Sequence, residues 1–412
     1  MKSKVKKNIL KLKESSTLAI NEKSKNLIKS GKKIYRFGFG QSPFQIPDKI
    51  VETLKLNAHR KEYLPIQGLP ELRENISKYL FERSGVKYSK ENILITPGSK
   101  EAMLLMHVTF NGEIITPAPS WVSYEPQAEI GTNKVHWLET SRENNWFPTA
   151  KELENKLKKL GKSKNKILIL NSPNNPSGAI CHNLKELAKV AKKNNLIILS
   201  DEIYTDLTFN NKYESISKFY PNGTFISGGL SKWCGAGGWR LGFFAVPNHL
   251  SNFLESLKTL ASESYSTVNS PAQYAAIEAY KGDHSEYKIK TTNIFRSLGN
   301  YVYNKLKSNN VLINQPQGAF YLMPEFLNNK YKNSTKLCEA ILDQTGVAML
   351  PASEFGFSPK RMLTRLSYTD FNGTEFLKNV SNGKMLDDQT IEKYAPNVVE
   401  GVNKLSNWAL KL

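Results

Sequence analysis

From about residue 90 the chain alternates short runs of branched apolar residues with longer stretches of helical periodicity, and this alternation limits its possible folds more than any other feature. The runs read as strands at Asn92 to Thr96, Glu113 to Thr116, near Lys134 to Leu138, Ile167 to Asn171, Leu196 to Asp201 and Thr224 to Ser227. Helices are expected from Ser99 to about Phe110, after Trp121 and from Asn183 to Asn194. Strands separated by helices of this length pair in parallel and are covered on both faces. The predicted fold class is therefore α/β, with a mostly parallel central sheet. In such a sheet ligands sit at the C-terminal ends of the strands.

After about residue 283 the pattern changes to one long helical stretch, short strands at 318 to 324, 346 to 350 and 362 to 368, and a terminal helix from about 393. This predicts a smaller α+β domain over residues 286–412 and a large ligand-binding domain over 46–285. Residues 1–45 are expected to pack with the small domain.

The 412 residues include 57 Lys and Arg against 37 Asp and Glu, a formal charge of +20. Apart from lysines 2, 4, 6, 7, 11 and 13, the excess lies thinly along solvated helix faces. That spread suits attraction of small anions and predicts no nucleic-acid surface. Cys181, Cys234 and Cys338 form no C-x-x-C pair, which excludes a disulfide framework or a cysteine zinc site and predicts a reduced, cytoplasmic setting. The histidines show no metal-binding spacing, and no metal is expected. The apolar runs are far shorter than the ~18 residues of a spanning helix, and the N-terminus has no secretory pattern, so neither membrane nor export is expected. G-F-G at 38 to 40 and G-K-S at 161 to 163 fail to complete nucleotide-binding motifs.

Three successive strand ends carry polar residues that a purely structural tip would not select. After KILIL comes NSPNNPSG with Asn175; after LIILS comes Asp201-Glu-Ile-Tyr204; after TFIS comes Gly228-Gly-Leu-Ser231-Lys232, with Arg240 eight residues beyond the lysine. Right-handed crossovers place such tips side by side. An amide, a carboxylate, a phenol, an amine and a guanidinium in one cleft suit pyridoxal phosphate. Lys232 would be the amine nucleophile for its aldehyde, with a pKa depressed by a cationic, desolvated site. Asp201 would keep the ring nitrogen protonated. Tyr204 and Asn175 can reach the phenolic oxygen. Arg240 and the helix-opening turn Pro97-Gly98-Ser99-Lys100 suit the phosphate, and Trp121 offers a stacking face.

At this point the chain resembles the class I (fold-type I) pyridoxal-phosphate aminotransferases related to aspartate aminotransferase. The matching segments are YLPIQGLPELRENI (63–76), TPGSKEA (96–102), PSWVSY (119–124), NSPNNPSG (171–178), DEIY (201–204), SKWCGAGGWRLG (231–242) and TRLSY (364–368). Their order and spacing persist over about 300 residues. The resemblance implies a transferase fold of this type and an exchange of the amino group between an L-amino acid and a 2-oxo acid by a ping-pong route. It makes Lys232 the Schiff-base residue and puts Ser231 with the cofactor-binding set. It assigns Arg365 to the substrate α-carboxylate and places Gly40, Trp121 and Asn175 beside the substrate. It also implies a homodimer in which Tyr63 reaches the phosphate of the neighbouring subunit's cofactor.

Two departures stand out. Gly40-Gln-Ser-Pro-Phe44 replaces the family's G-E-P-D-F loop, and W-C-G-A-G-G-W-R adds two glycines before the arginine. The helix after Ser99, reading KEAMLLMHVTF, offers only His107 for a distal carboxylate, which predicts a substrate range wider than dicarboxylates. A C–S β-lyase or another elimination or synthase enzyme on the same scaffold is the alternative reaction. A remote one is the transcription regulator with an aminotransferase-like domain, which needs an N-terminal DNA-binding domain; only about 30 residues precede the matched region here.

Overall fold

The computed structural model describes every residue except 1–3, 13, 15, 211–212, 328–329 and 382–384. Lys2 and Lys13 of the lysine cluster thus lie outside the described residues. Seven strands form the main sheet: β1 (Ile93–Thr96), β2 (Glu113–Ala118), β3 (Lys134–Glu139), β4 (Lys166–Asn171), β5 (Ile197–Asp201), β6 (Thr224–Gly229) and β7 (Gly242–Ala245), in the order β1-β7-β6-β5-β4-β2-β3. The pairs from β3 through β6 are parallel, and β7 runs antiparallel to both β6 and β1. Continuous apolar sequence follows from position: every residue of the interior strand β4 is buried, so neither face tolerates exposed polarity.

Helices cover both faces with narrow apolar stripes. In Leu184–Lys193 the residues Leu184, Leu187, Ala188 and Ala191 are buried at helical spacing, while the lysines face water. Helix Ala150–Leu160 starts at a capping box in which the Thr149 hydroxyl accepts from the Glu152 N–H and the Glu152 carboxylate accepts from the Thr149 N–H. These helices carry the crossovers β3→β4 and β4→β5. Register then aligns the strand ends, Asn171 opposite Asp201 and Asp201 opposite Ser227.

The C-terminal part contains the 22-residue helix Ser285–Leu306, a three-stranded sheet of Leu350–Pro351, Thr364–Ser367 and Tyr321–Leu322, and the paired strands Val311–Leu312 and Glu325–Phe326. Tyr35 bridges to Val347, so the N-terminal segment joins this region. The expected strands are shorter here. Gly346 ends helix Ser334–Thr345 in the left-handed conformation, and Ala319 also takes a positive φ, which confines extended pairing to Leu350–Pro351 and Tyr321–Leu322. The terminal helix is broken into Asp388–Tyr394 and Pro396–Ala409, because Pro396 begins the second piece. Among the described residues no helix is long and apolar enough to cross a membrane, and no cluster of three metal-ligating side chains exists.

Candidate active site

A cleft of about 470 Å³ opens at the C-terminal ends of β4, β5 and β6. Asn171, at the end of β4, accepts the Asn175 N–H at 2.7 Å through its Oδ1 and donates to the Asp201 carbonyl at 2.9 Å, fixing the turn that carries Asn175. Asp201, at the end of β5, is buried and accepts a 2.6 Å hydrogen bond from the Tyr124 hydroxyl. Burial pushes its carboxyl up to about 6, against the opposing pull of Tyr124. The Tyr204 and Tyr321 hydroxyls lie 2.9 Å apart.

Lys232 follows β6 and donates to the Gly40 carbonyl at 2.9 Å, with its Nζ 5.4 Å from the centre of the Tyr204 ring. Burial, reinforced by Arg365, pushes its ammonium down to about 8. A free amine is therefore accessible near neutral pH.

Arg240 is exposed at the rim in the left-handed conformation and donates to the carbonyls of Gly237 (2.8 Å) and Pro97 (3.1 Å). Gly98 has φ +83, and a Cβ there would stand 2.4 Å from Arg240 Nη2, so only glycine lets the guanidinium lie against the turn. Helix Ser99–Thr109 begins at this point; the Glu101 N–H turns back to the Gly98 carbonyl at 3.2 Å, while the N–H groups of Ser99 and Lys100 precede any intrahelical acceptor. Ser99, Lys100, Trp121 and Ser231 line the same end of the cleft. Lys100 Nζ is 5.5 Å from the Trp121 ring centre.

Arg365, in the small sheet, is 1% exposed. It donates to Asn175 Oδ1 at 3.1 Å and to the Gly38 carbonyl, and its Nε is buried without an acceptor. Gly40 also lines the cleft, and a Cβ on it would fall 2.0 Å from the Tyr321 hydroxyl.

Of the predicted site residues, Gly98 and Tyr63, with Pro97 and His107, do not line this cleft. Gly98 shapes its rim, and Tyr63 points outward, 88% exposed. His107 is a correction: it is fully buried, outside the cleft, and burial pushes its imidazole down to about 4, so it cannot serve a substrate carboxylate. Lys100 is the helix's cation in the cleft. Sequence reasoning missed Tyr124, Tyr321, Asn171, Thr17 and Leu18, all of which contact Asp201 or line the cleft. Tyr124 stood inside the quoted PSWVSY segment, whereas Tyr321, Thr17 and Leu18 had no distinguishing pattern.

The donor set fits pyridoxal phosphate. A guanidinium and open helix N–H groups sit at one end, a buried carboxylate lies at the base, an amine stands between, and the glycine at 98 keeps the anion end open.

Comparison with known proteins agrees. The family described as "Aminotransferase class I and II" matches residues 32–377. An aspartate aminotransferase of Thermotoga maritima is 32% identical over 361 residues, 85% of this chain and 92% of that protein. One from Geobacillus stearothermophilus is 32% identical over 381 residues, covering 89% of this chain and 94% of that one. The crystal structure of an aspartate aminotransferase from Thermotoga maritima superposes with a TM-score of 0.83 at 27% identity, covering 99% of this chain and 100% of that chain.

Proposed function

The chain belongs to the class I and II aminotransferase family and is a pyridoxal-phosphate-dependent transaminase, and we propose that its preferred amino donors are acidic L-amino acids. Its reaction moves an amino group between an L-amino acid and a 2-oxo acid by a ping-pong route. Bound pyridoxal phosphate supplies the carbonyl that takes up the amino group and a ring that delocalises the electrons left by Cα–H cleavage.

The chain's own residues divide the remaining work. Arg240 and the N–H groups at Ser99 and Lys100 would hold the phosphate, and Trp121 would cover one face of the ring. Asp201 would hold a proton on the ring nitrogen, because a buried carboxylate stabilises a neighbouring cation. Tyr204 and Asn175 would bond the phenolic oxygen. Ser231 would assist at the phosphate. Lys232 would anchor the cofactor through its amine and would move the Cα proton as base and then acid. Arg365 would take the α-carboxylate with its fork of donors, and its unpartnered Nε supports this role.

Lys100 carries the specificity reading. Its ammonium stands in the cleft beside Trp121 and pairs with no carboxylate among the described residues, so it is placed to receive a donor's distal carboxylate. The burial of His107 leaves Lys100 as the cation that this helix brings to the cleft. Half-reactions followed by the visible absorbance of the bound cofactor, with aspartate and alanine as donors, test this. The parent should favour aspartate, and Lys100→Met should lower kcat/KM for aspartate by about tenfold more than for alanine. Equal losses on both donors would confine Lys100 to the cofactor, and steady release of ammonia and pyruvate from cysteine would point to the lyase reaction.

We further propose a homodimer, because Tyr63 lies outside its own cleft and the same stretch of chain exposes Leu56 (74%) and Ile66 (37%), apolar side chains that a partner would cover. A cytoplasmic setting is supported by three thiols that stand buried and unpaired. The division into residues 1–45, 46–285 and 286–412 is supported by the Tyr35–Val347 bridge and by a main sheet contained within 93–245.

A further inference from the structure

A second cavity of about 470 Å³ lies between helix Pro70–Ser84, the turn Thr205–Leu207 that follows Tyr204, and the long helix Ser285–Leu306. It shares no lining residue with the active cleft. Trp233 stands beside it, next in sequence to Lys232, with the Lys288 Nζ 4.3 Å from its ring centre.

The charges in this cavity do not balance. Arg83, Lys288 and Arg296 line it, and Asp206 is the carboxylate in the same lining. Asp206 is already committed: it accepts from Arg83 Nη1 at 2.6 Å and from the Tyr79 hydroxyl at 2.6 Å, and it pairs with Lys288 at 3.2 Å. Glu202, the nearby acid, is bonded by the hydroxyls of Ser200 (2.9 Å), Ser215 (2.6 Å) and Tyr213, and its charge reaches Arg83. Arg296 bonds a neutral acceptor, Asn293 Oδ1, at 2.8 Å. With Glu202 counted beside Asp206, three cations against two carboxylates leave an excess of one positive charge at the cavity.

Two of the donors are also unmet. Arg83 Nε and Arg296 Nε are both buried without an acceptor. A buried N–H left without a partner costs stability, and both of these belong to side chains that line the cavity. The Arg83 guanidinium is held rigidly, with the Tyr79 ring centre at 5.2 Å and the Tyr213 ring centre at 5.1 Å from its central carbon. A planar donor fork fixed between aromatic faces is suited to the oxygens of a tetrahedral anion.

We propose that this cavity is a second anion site that binds a phosphate group, either as inorganic phosphate or as a small phosphate ester, separately from the cofactor's phosphate. The volume exceeds what a lone phosphate fills, and Phe209 and Ile289 supply an apolar wall for an organic remainder. Thr292 donates to the Asp206 carbonyl at 3.2 Å, so the bound anion would brace the turn after Tyr204 against the long helix.

The test uses holoenzyme, whose cofactor already fills the first phosphate cup, at an ionic strength fixed with sodium chloride. Equilibrium dialysis or calorimetry is run separately with inorganic phosphate and with glycerol 3-phosphate, on the parent, on Arg296→Gln and on Lys288→Gln. Saturable binding of one anion per chain is expected, weakened about tenfold in either variant. The tighter of the two anions identifies the source. Absence of saturable binding by both, or binding equal in the parent and both variants, overturns the proposal. Transamination measured on the same samples reports on the active cleft independently, so failure of this site leaves that reading untouched.

Discussion

The Tyr124 hydroxyl donates a 2.6 Å hydrogen bond to Asp201 Oδ2, and both groups are buried at the base of the active cleft. The bond stabilises the ionised form of Asp201, whose carboxyl burial still raises to about 6. Tyr124→Phe should therefore move that pKa higher still and leave more of the acid neutral in mildly acidic solution. We expect cofactor affinity to fall about tenfold, with a larger loss at pH 6 than at pH 8, where the carboxylate is ionised in both proteins. Asp201→Asn should lose turnover by about 10²-fold or more at both pH values, since a buried partner charge is removed outright. A Tyr124→Phe deficit independent of pH would sever the link between the two residues.

Lys232 gives a second pH signature. With its ammonium held down to about 8, the apoprotein should capture pyridoxal phosphate faster as pH rises and level off above about 8. An ordinary lysine would keep gaining toward about 10.4. Lys232→Ala should stay folded, still hold cofactor, and show no turnover. Borohydride treatment followed by mass spectrometry should fix the cofactor to the parent chain alone; covalent label or full activity in the variant would reassign the anchor.

Arg365 should act on both substrate and lysine. Arg365→Leu removes the fork facing the α-carboxylate, so kcat/KM should fall at least about 30-fold for every amino donor alike. It also removes a positive charge that lowers the Lys232 pKa, and the midpoint of cofactor capture should shift to higher pH. A variant whose loss depends on the donor's side chain would place Arg365 on the distal end of the substrate.

Much of this site was legible because strand physics and chemistry share the same short segments. The apolar runs before Asn175, Asp201 and Lys232 announce strands, and parallel pairing brings their ends together, as Asn171 opposite Asp201 illustrates. Arg365 came into view through its match to a family segment, because a lone arginine in a strand has no local mark of function. Tyr321, Thr17 and Leu18 reach the cleft from segments far away in sequence, and no periodicity reports such folding back. The small-domain strands were read too long for a different reason: Gly346 and Ala319 take positive φ inside apolar runs, and a hydrophobic pattern carries no information on backbone handedness. His107 misled because helical sequence alone does not say which face meets the cleft.

Tyr63 offers the test of shared sites. Its side chain is 88% exposed in a single chain and does not line its own cleft, so a role at the cofactor calls for a second copy. Sedimentation should show a dimer for the parent. Tyr63→Phe should preserve that dimer while weakening cofactor binding about tenfold, the loss of one hydrogen bond to a charged group. Mixing then isolates the geometry. Combining inactive Lys232→Ala chains, which keep Tyr63, with Tyr63→Phe chains, which keep Lys232, assembles hybrid dimers containing one site with both native residues. Cofactor affinity at that site should return to the parent value, whereas a Tyr63 acting within its own chain would give no recovery on mixing.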